Sequence, residues 1–165
     1  MTPTTEQTLA AARDARAAEL AVRAANKARA ALAHERTALA ALAAADAPGV
    51  THRDIGREMG LSHVAVGTLV TEARDLPALP EGRAGRSPLH VAMRYAADEI
   101  DRTTLVEELT TWPYASAGAF TDGLHDDAAA TTTPGSFDEV HDALVQGFID
   151  DDTYDEILRR RAAQQ

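Results

Sequence analysis

Large apolar residues are sparse along the first third of this chain and become dense and clustered beyond it. Between residues 5 and 46 they are Leu9, Leu20, Val22, Leu32, Leu39 and Leu42, set among alanine, arginine and glutamate with no proline or glycine. That pattern predicts one long helix, roughly 60 Å at 1.5 Å per residue, opened by a capping box between Thr4 and Gln7. Leu32 and Leu39 are seven apart, but elsewhere the spacing drifts toward eleven, so no leucine-zipper heptad is sustained. Twenty of the first 47 residues are alanine, which favours helix but buries little area. A helix this poor in large side chains needs a partner in water. The candidates are its own twin in a homodimer and the carboxy-terminal half of the chain; self-association is the preferred expectation.

From Thr51 to Ala73 the pattern changes to two short apolar stripes with a break between them. Thr51 followed by Asp54 predicts a capped helix start, and Ile55, Met59, Leu61, Val66 and Leu69 fall where two short helices must touch. Gly56 is expected where the helices cross, since a larger side chain would push them apart. Gly60 is expected in the turn, in the left-handed conformation that costs glycine nothing, and Ser62 as the cap of the second helix. The arrangement resembles the helix-turn-helix of bacterial DNA-binding regulators of repressor and antitoxin type, including the trihelical form of sigma-factor and resolvase-type domains. The resemblance covers residues 51–73, and about 38–75 when the end of the long helix supplies a third member before the Pro48-Gly49 break. It implies double-stranded DNA as the ligand and the second short helix as the element entering the major groove.

On that second helix, residues 63–74, Val66, Leu69, Val70 and Ala73 are expected inward, which turns His63, Val64, Gly67, Thr68, Thr71 and Arg74 outward. With Ser62 at the start, these are the candidate DNA-binding residues. No Arg, Lys, Asn or Gln lies in the first two turns to grip guanine or adenine bidentately. His63 can donate to a guanine acceptor, Thr68 and Thr71 can serve either base, and Val64 can meet a thymine methyl. Gly67 lets the backbone come close, at a helix cost of about 1 kcal/mol relative to alanine. Arg53 and Arg57, with His52 beside them, are placed for phosphates. Base discrimination by one copy is therefore expected to be modest.

Leu76 to Pro88 is rich in proline and glycine and reads as a linker, with Arg83 and Arg86 as a basic arm the less favoured alternative. Beyond it, Ser87 is expected to cap a helix with Pro88 first and Leu89, Val91, Ala92, Tyr95, Ala96 and Ile100 as its stripe. A capping box of Thr104 and Glu107 is expected to open the next helix, which carries Leu105, Val106 and Leu109. Residues 115–135 read as a long loop of low complexity. Ser136 and Glu139 are expected to cap a further helix, stopped by Gly147. Asp150 to Asp152 then start the last one, which carries Tyr154, Ile157 and Leu158 and ends in Arg159, Arg160 and Arg161. The expected fold class is all-α: a long helix leading into a trihelical unit over residues 1–75, a linker over 76–87, and an acidic helical domain over 88–165 for oligomerisation or partner binding.

Charge sharpens this division. Residues 1–86 hold 11 Lys and Arg against 10 Asp and Glu, while residues 87–165 hold 5 against 16 in a chain of net charge −10. Phosphate attraction supplies most non-specific DNA affinity, so an acidic DNA-binding protein must keep its positive groups in one module. The acidic half should repel DNA, and a basic protein, toxin or effector, is the partner it suits. There is no cysteine, which removes disulfides and cysteine-based metal sites. No strongly apolar run reaches 18 residues and no basic-then-apolar leader is present, so a cytoplasmic protein without membrane contact is expected. Histidines 34, 52, 63, 90, 125 and 141 are scattered, and neither His125-Asp126-Asp127 nor His141-Asp142 makes a convincing cluster. No catalytic set, metal site or cofactor is expected. The expected function is a sequence-specific transcriptional regulator, a repressor or antitoxin-type autoregulator. The alternative is a protein-interaction module, antitoxin or adaptor, acting through the acidic helices without specific DNA binding.

Overall fold

The computed structural model describes residues 4–115 and 134–164, and every regular element among them is helical. In chain order these are α1 (Thr5–Ala45), α2 (His52–Met59), α3 (His63–Asp75), α4 (Pro88–Ala96), α5 (Arg102–Thr111), α6 (Asp138–Val145) and α7 (Asp151–Ala162). The all-α expectation is met. Most of the loop expected at 115–135, and His125 with it, lies outside the described residues.

Helix α1 is opened by the Thr4–Gln7 capping box and serves as the spine of two separate cores. Near its end, Ala38 and Ala41 pack with Ile55, Val66, Leu69, Val70 and Ala73 to close the trihelical unit α1–α2–α3. Nearer its middle, Ala24, Ala28 and Leu32 join Val91, Ala92, Leu105, Val106, Leu109, Val140 and Ile157 from α4–α7 and Phe148 from the turn between α6 and α7. The alanines explain the close approach, since a methyl lets neighbouring backbones come near while still removing apolar area from water. From Ala24 onward the partner that α1 requires is thus its own chain. Leu9, Leu20 and Val22 remain exposed on the amino-terminal turns.

Three local expectations are corrected. Helix α5 is capped by Asp101, whose carboxylate accepts from Thr104 N–H at 2.8 Å, so it begins before Thr104 and the Thr104–Glu107 box does not form. Glu139 does not cap its own helix: it is buried, its Oε1 accepting from Gly135 N–H at 2.7 Å and its Oε2 from Leu89 N–H at 3.0 Å. A carboxylate taken out of water needs such donors, and the unpaired first turn of α4 has one to give. Ser136 Oγ accepts only from Asp138 N–H, and no side chain bonds from the cap position at Phe137.

The third concerns the connection between α3 and α4, where the two arginines of the basic-arm alternative are tied to the chain's own helices. Arg83 donates to the Thr111 carbonyl at 2.9 Å and lies over the Trp112 ring. Arg86 donates to Glu35 of α1 at 2.9 Å and to the Pro77 carbonyl at 2.8 Å. His90 completes this junction, with Nδ1 accepting from Arg86 N–H and Nε2 3.0 Å from Glu35. Burial holds its imidazole below the ordinary value, against the opposing pull of Glu35. Gly85 is required by the packing, since a Cβ there would come within 2.9 Å of Val91 N and nearer still to its side chain.

Candidate nucleic-acid interface

The α2–turn–α3 segment is built from local bonds that its residue types dictate. Thr51 and Asp54 cap each other: Asp54 N–H donates to the Thr51 hydroxyl at 3.2 Å, and Thr51 N–H donates back to the carboxylate at 3.1 Å. The Thr51 hydroxyl, 2.5 Å from the carboxylate, and then its N–H hold the Asp54 carboxyl below its ordinary value. Helix α2 stops at Gly60, which adopts φ 68° and ψ 31°, the left-handed conformation a β-carbon resists. Leu61 N–H then donates to the Gly56 carbonyl at 2.8 Å, folding the turn back onto α2. Ser62 accepts from Ala65 N–H at 3.1 Å and starts α3.

Gly56 is needed for a reason other than the one its spacing suggests. A Cβ there would meet the Leu61 carbonyl oxygen at 2.5 Å, so the obstacle is the turn's backbone and not a side chain of α3. Because backbone cannot rotate aside, Gly56→Ala is expected to destabilise the chain by about 1–3 kcal/mol. Chemical denaturation of the full chain measures this, and a loss below about 0.5 kcal/mol contradicts the close approach.

Helix α3 divides into two faces. Val66, Leu69, Val70 and Ala73 are buried against α1 and α2, as the periodicity requires. His63, Val64, Thr68, Thr71 and Arg74 are exposed, with Val64 at 66%. Gly67 is half-buried because the His52 ring leans toward it, its Nδ1 3.7 Å from where a Cβ would stand. Leu61 departs from expectation: it is 38% exposed and lines a shallow groove with His34, Thr37, Ala65 and Thr68 instead of filling the helix contact. Its main chain is what closes the turn, which leaves its side chain at the rim.

Two features of the outward face were not legible from spacing. The Thr68 hydroxyl donates to the Val64 carbonyl at 3.2 Å and the Thr71 hydroxyl to the Gly67 carbonyl at 3.0 Å. Each proton is thereby committed to the helix's own backbone, leaving lone pairs and methyls to face outward partners. Glu72, one turn after Thr68, meets His34 of α1 at 2.7 Å and sets a carboxylate beside the face. Its i+4 relation to Thr68 was the available signal.

The positive groups are few. Arg53 is exposed and has no ion pair or hydrogen bond among the described residues, while Arg57 lies 3.6 Å from Asp54 and Arg74 lies 3.9 Å from Asp46. Residues 51–75 carry three arginines against Asp54, Glu58, Glu72 and Asp75. Elsewhere the arginines of the amino-terminal half are matched: Arg16 and Arg23 with Glu19, Arg36 with Glu99, Arg86 with Glu35. The positive field expected in this half is therefore not gathered on the motif. Among the described residues no group of three or more His, Asp or Glu is placed to hold a metal ion.

Compared with known proteins, the chain matches no family model, no curated protein and no solved structure.

Proposed function

We propose that this chain is a cytoplasmic, DNA-binding transcriptional regulator of repressor or antitoxin type that lays α3 in the major groove. The observation that carries the reading is the two-sided character of α3: four residues locked into the trihelical core, and His63, Val64, Thr68 and Thr71 held on a capped, rigid helix with no part of the described chain over them. Arg53 and Arg57, on the preceding helix, are the phosphate contacts in this reading, and Ser62, Gly67 and Arg74 border the groove. A second copy of the chain would supply the second half-site that a modest single face needs. The acidic helices α4–α7 would meet a basic protein partner. No helix among the described residues is long and apolar enough to cross a membrane.

Selection of bound fragments from random duplex DNA, using the full chain, tests the proposal. Enrichment of a defined sequence is expected. Two phosphate contacts per copy give a slope of about −1.8 in log affinity against log salt, so affinity should fall about tenfold per copy between roughly 50 and 200 mM. A complex indifferent to salt contradicts groove binding.

Gly67 offers a separate test. A methyl at Gly67 meets His52 only at ordinary contact distance, so Gly67→Ala should stabilise α3 by up to about 1 kcal/mol. It should nonetheless weaken the selected complex, because the methyl holds the helix backbone off the groove. Higher melting temperature with undiminished binding removes Gly67 from the interface.

The second reading, a protein-interaction module, is favoured by one observation: the motif's acidic residues outnumber its arginines. Under that reading the selection returns no enriched sequence.

A further inference from the structure

We infer that α3 reads adenine–thymine pairs through thymine methyls and exocyclic amino groups, and rejects guanine opposite Thr68 and Thr71; this inference rests on the major-groove reading above. The chemistry presented by the helix decides it. Val64 is 66% exposed and offers only methyl groups. Thr68 and Thr71 are exposed, and each hydroxyl has its proton on a carbonyl of its own helix, at 3.2 and 3.0 Å. What each can still give a base is an acceptor lone pair and a methyl. Glu72, on the same flank and bonded to His34, adds another acceptor. Over residues 64–72 the outward face thus holds acceptors and methyls and no side-chain donor aimed outward.

The bases differ in how they meet such a face. In the major groove guanine shows two acceptors, N7 and O6, which meet threonine and glutamate oxygens lone pair to lone pair. Adenine sets the N6 amino donor beside its N7 acceptor, so an acceptor hydroxyl has one partner there, and thymine sets the C5 methyl beside its O4 acceptor, so the methyl can pack on Val64 and the threonine methyls; guanine's edge offers neither donor nor methyl. Counted by pair, guanine–cytosine matches adenine–thymine in donors and acceptors and lacks only the methyl, so the methyl contacts separate the pairs, while the missing donor excludes guanine at the position a threonine faces. His63 stands before this stretch, at the first position of α3, and is the residue there able to donate to guanine. A selected half-site should therefore admit guanine at the edge facing His63 and exclude it from the strand facing Thr68 and Thr71.

The test uses the full chain and the duplex recovered by selection. The expected motif has an adenine–thymine core. Replacing its core thymines with uracil, which removes only the C5 methyls, should weaken binding about fourfold per methyl lost. Thr68→Val keeps the side-chain shape and its methyl but deletes the acceptor, and it should relax the preference for adenine while keeping the sensitivity to uracil. A selected motif with guanine across the Thr68–Thr71 positions, or equal affinity for thymine and uracil duplexes, overturns this inference while leaving DNA binding intact. Failure to enrich any sequence overturns it together with the reading on which it rests.

Discussion

Thr68→Glu is expected to lower affinity for the selected duplex by about a hundredfold or more while leaving the fold in place. Thr68 is exposed at the middle of the outward face of α3, and its one bond is to the Val64 carbonyl of its own helix. Losing that bond costs little, because a threonine back-bonded to its own helix adds no tertiary contact. Glutamate is a better helix former than threonine, and its repulsion from Glu72 at i+4 amounts to only a few tenths of a kcal/mol. Stability should therefore move by less than about 0.5 kcal/mol. Against DNA the same carboxylate faces guanine, adenine and thymine acceptors and, behind them, the phosphates. Like charges brought together at an interface cost several kcal/mol, which sets the scale of the loss. Parallel melting and titration of the variant separate the two quantities. Full binding by both Thr68→Glu and His63→Glu would take α3 out of the interface altogether.

What could be read ahead of the structure follows from the range over which each interaction acts. The apolar stripe of Val66, Leu69, Val70 and Ala73, the left-handed Gly60 and the Ser62 cap each follow from steps of four positions or fewer along the chain. Spacing alone carries that information. Glu139 departs from expectation because its partners include Leu89, fifty residues away, and a carboxylate two positions into a helix looks like a cap whether or not it serves as one. The bonds of Arg83 and Arg86 are hidden for the same reason, since a proline- and glycine-rich composition says nothing of Trp112 just beyond α5 or Glu35 in α1. The electrostatic expectation failed at a further remove. A count of charges by chain half cannot show that Arg29 would pair with Asp98, and Arg36 with Glu99, across the two halves. At the candidate site, the outward set was legible as positions, while the direction of the threonine protons was not.

Leu105→Ala is expected to cost about 2–5 kcal/mol and to lower the melting temperature of the whole described fold in one step. Leu105 is fully buried in the core formed by α1 and α4–α7, so truncation leaves a cavity as well as losing transfer energy. For a chain of this size such a loss corresponds to roughly 5–15 °C. The reach of the effect follows from α1. That helix places Ala24, Ala28 and Leu32 in the core containing Leu105, and Ala38 and Ala41 in the core beneath α3, with no break between them. Glu35, between the two sets, is tied to Arg86 and His90. Loss of the larger core strips the middle of α1 of its apolar partner, and a helix so poor in large side chains does not hold without one. The trihelical unit should then unfold with it, although Leu105 touches no part of that unit's core. Fluorescence of Trp112, the chain's one tryptophan and a member of the larger core, reports that core, and far-ultraviolet dichroism reports the helices of both cores together with α1. Both should shift together in Leu105→Ala, and DNA binding measured well below the transition should be unchanged. A dichroism transition that splits, one step falling early with the tryptophan signal and the rest staying in place, would show that the two cores stand independently and that α1 does not couple them.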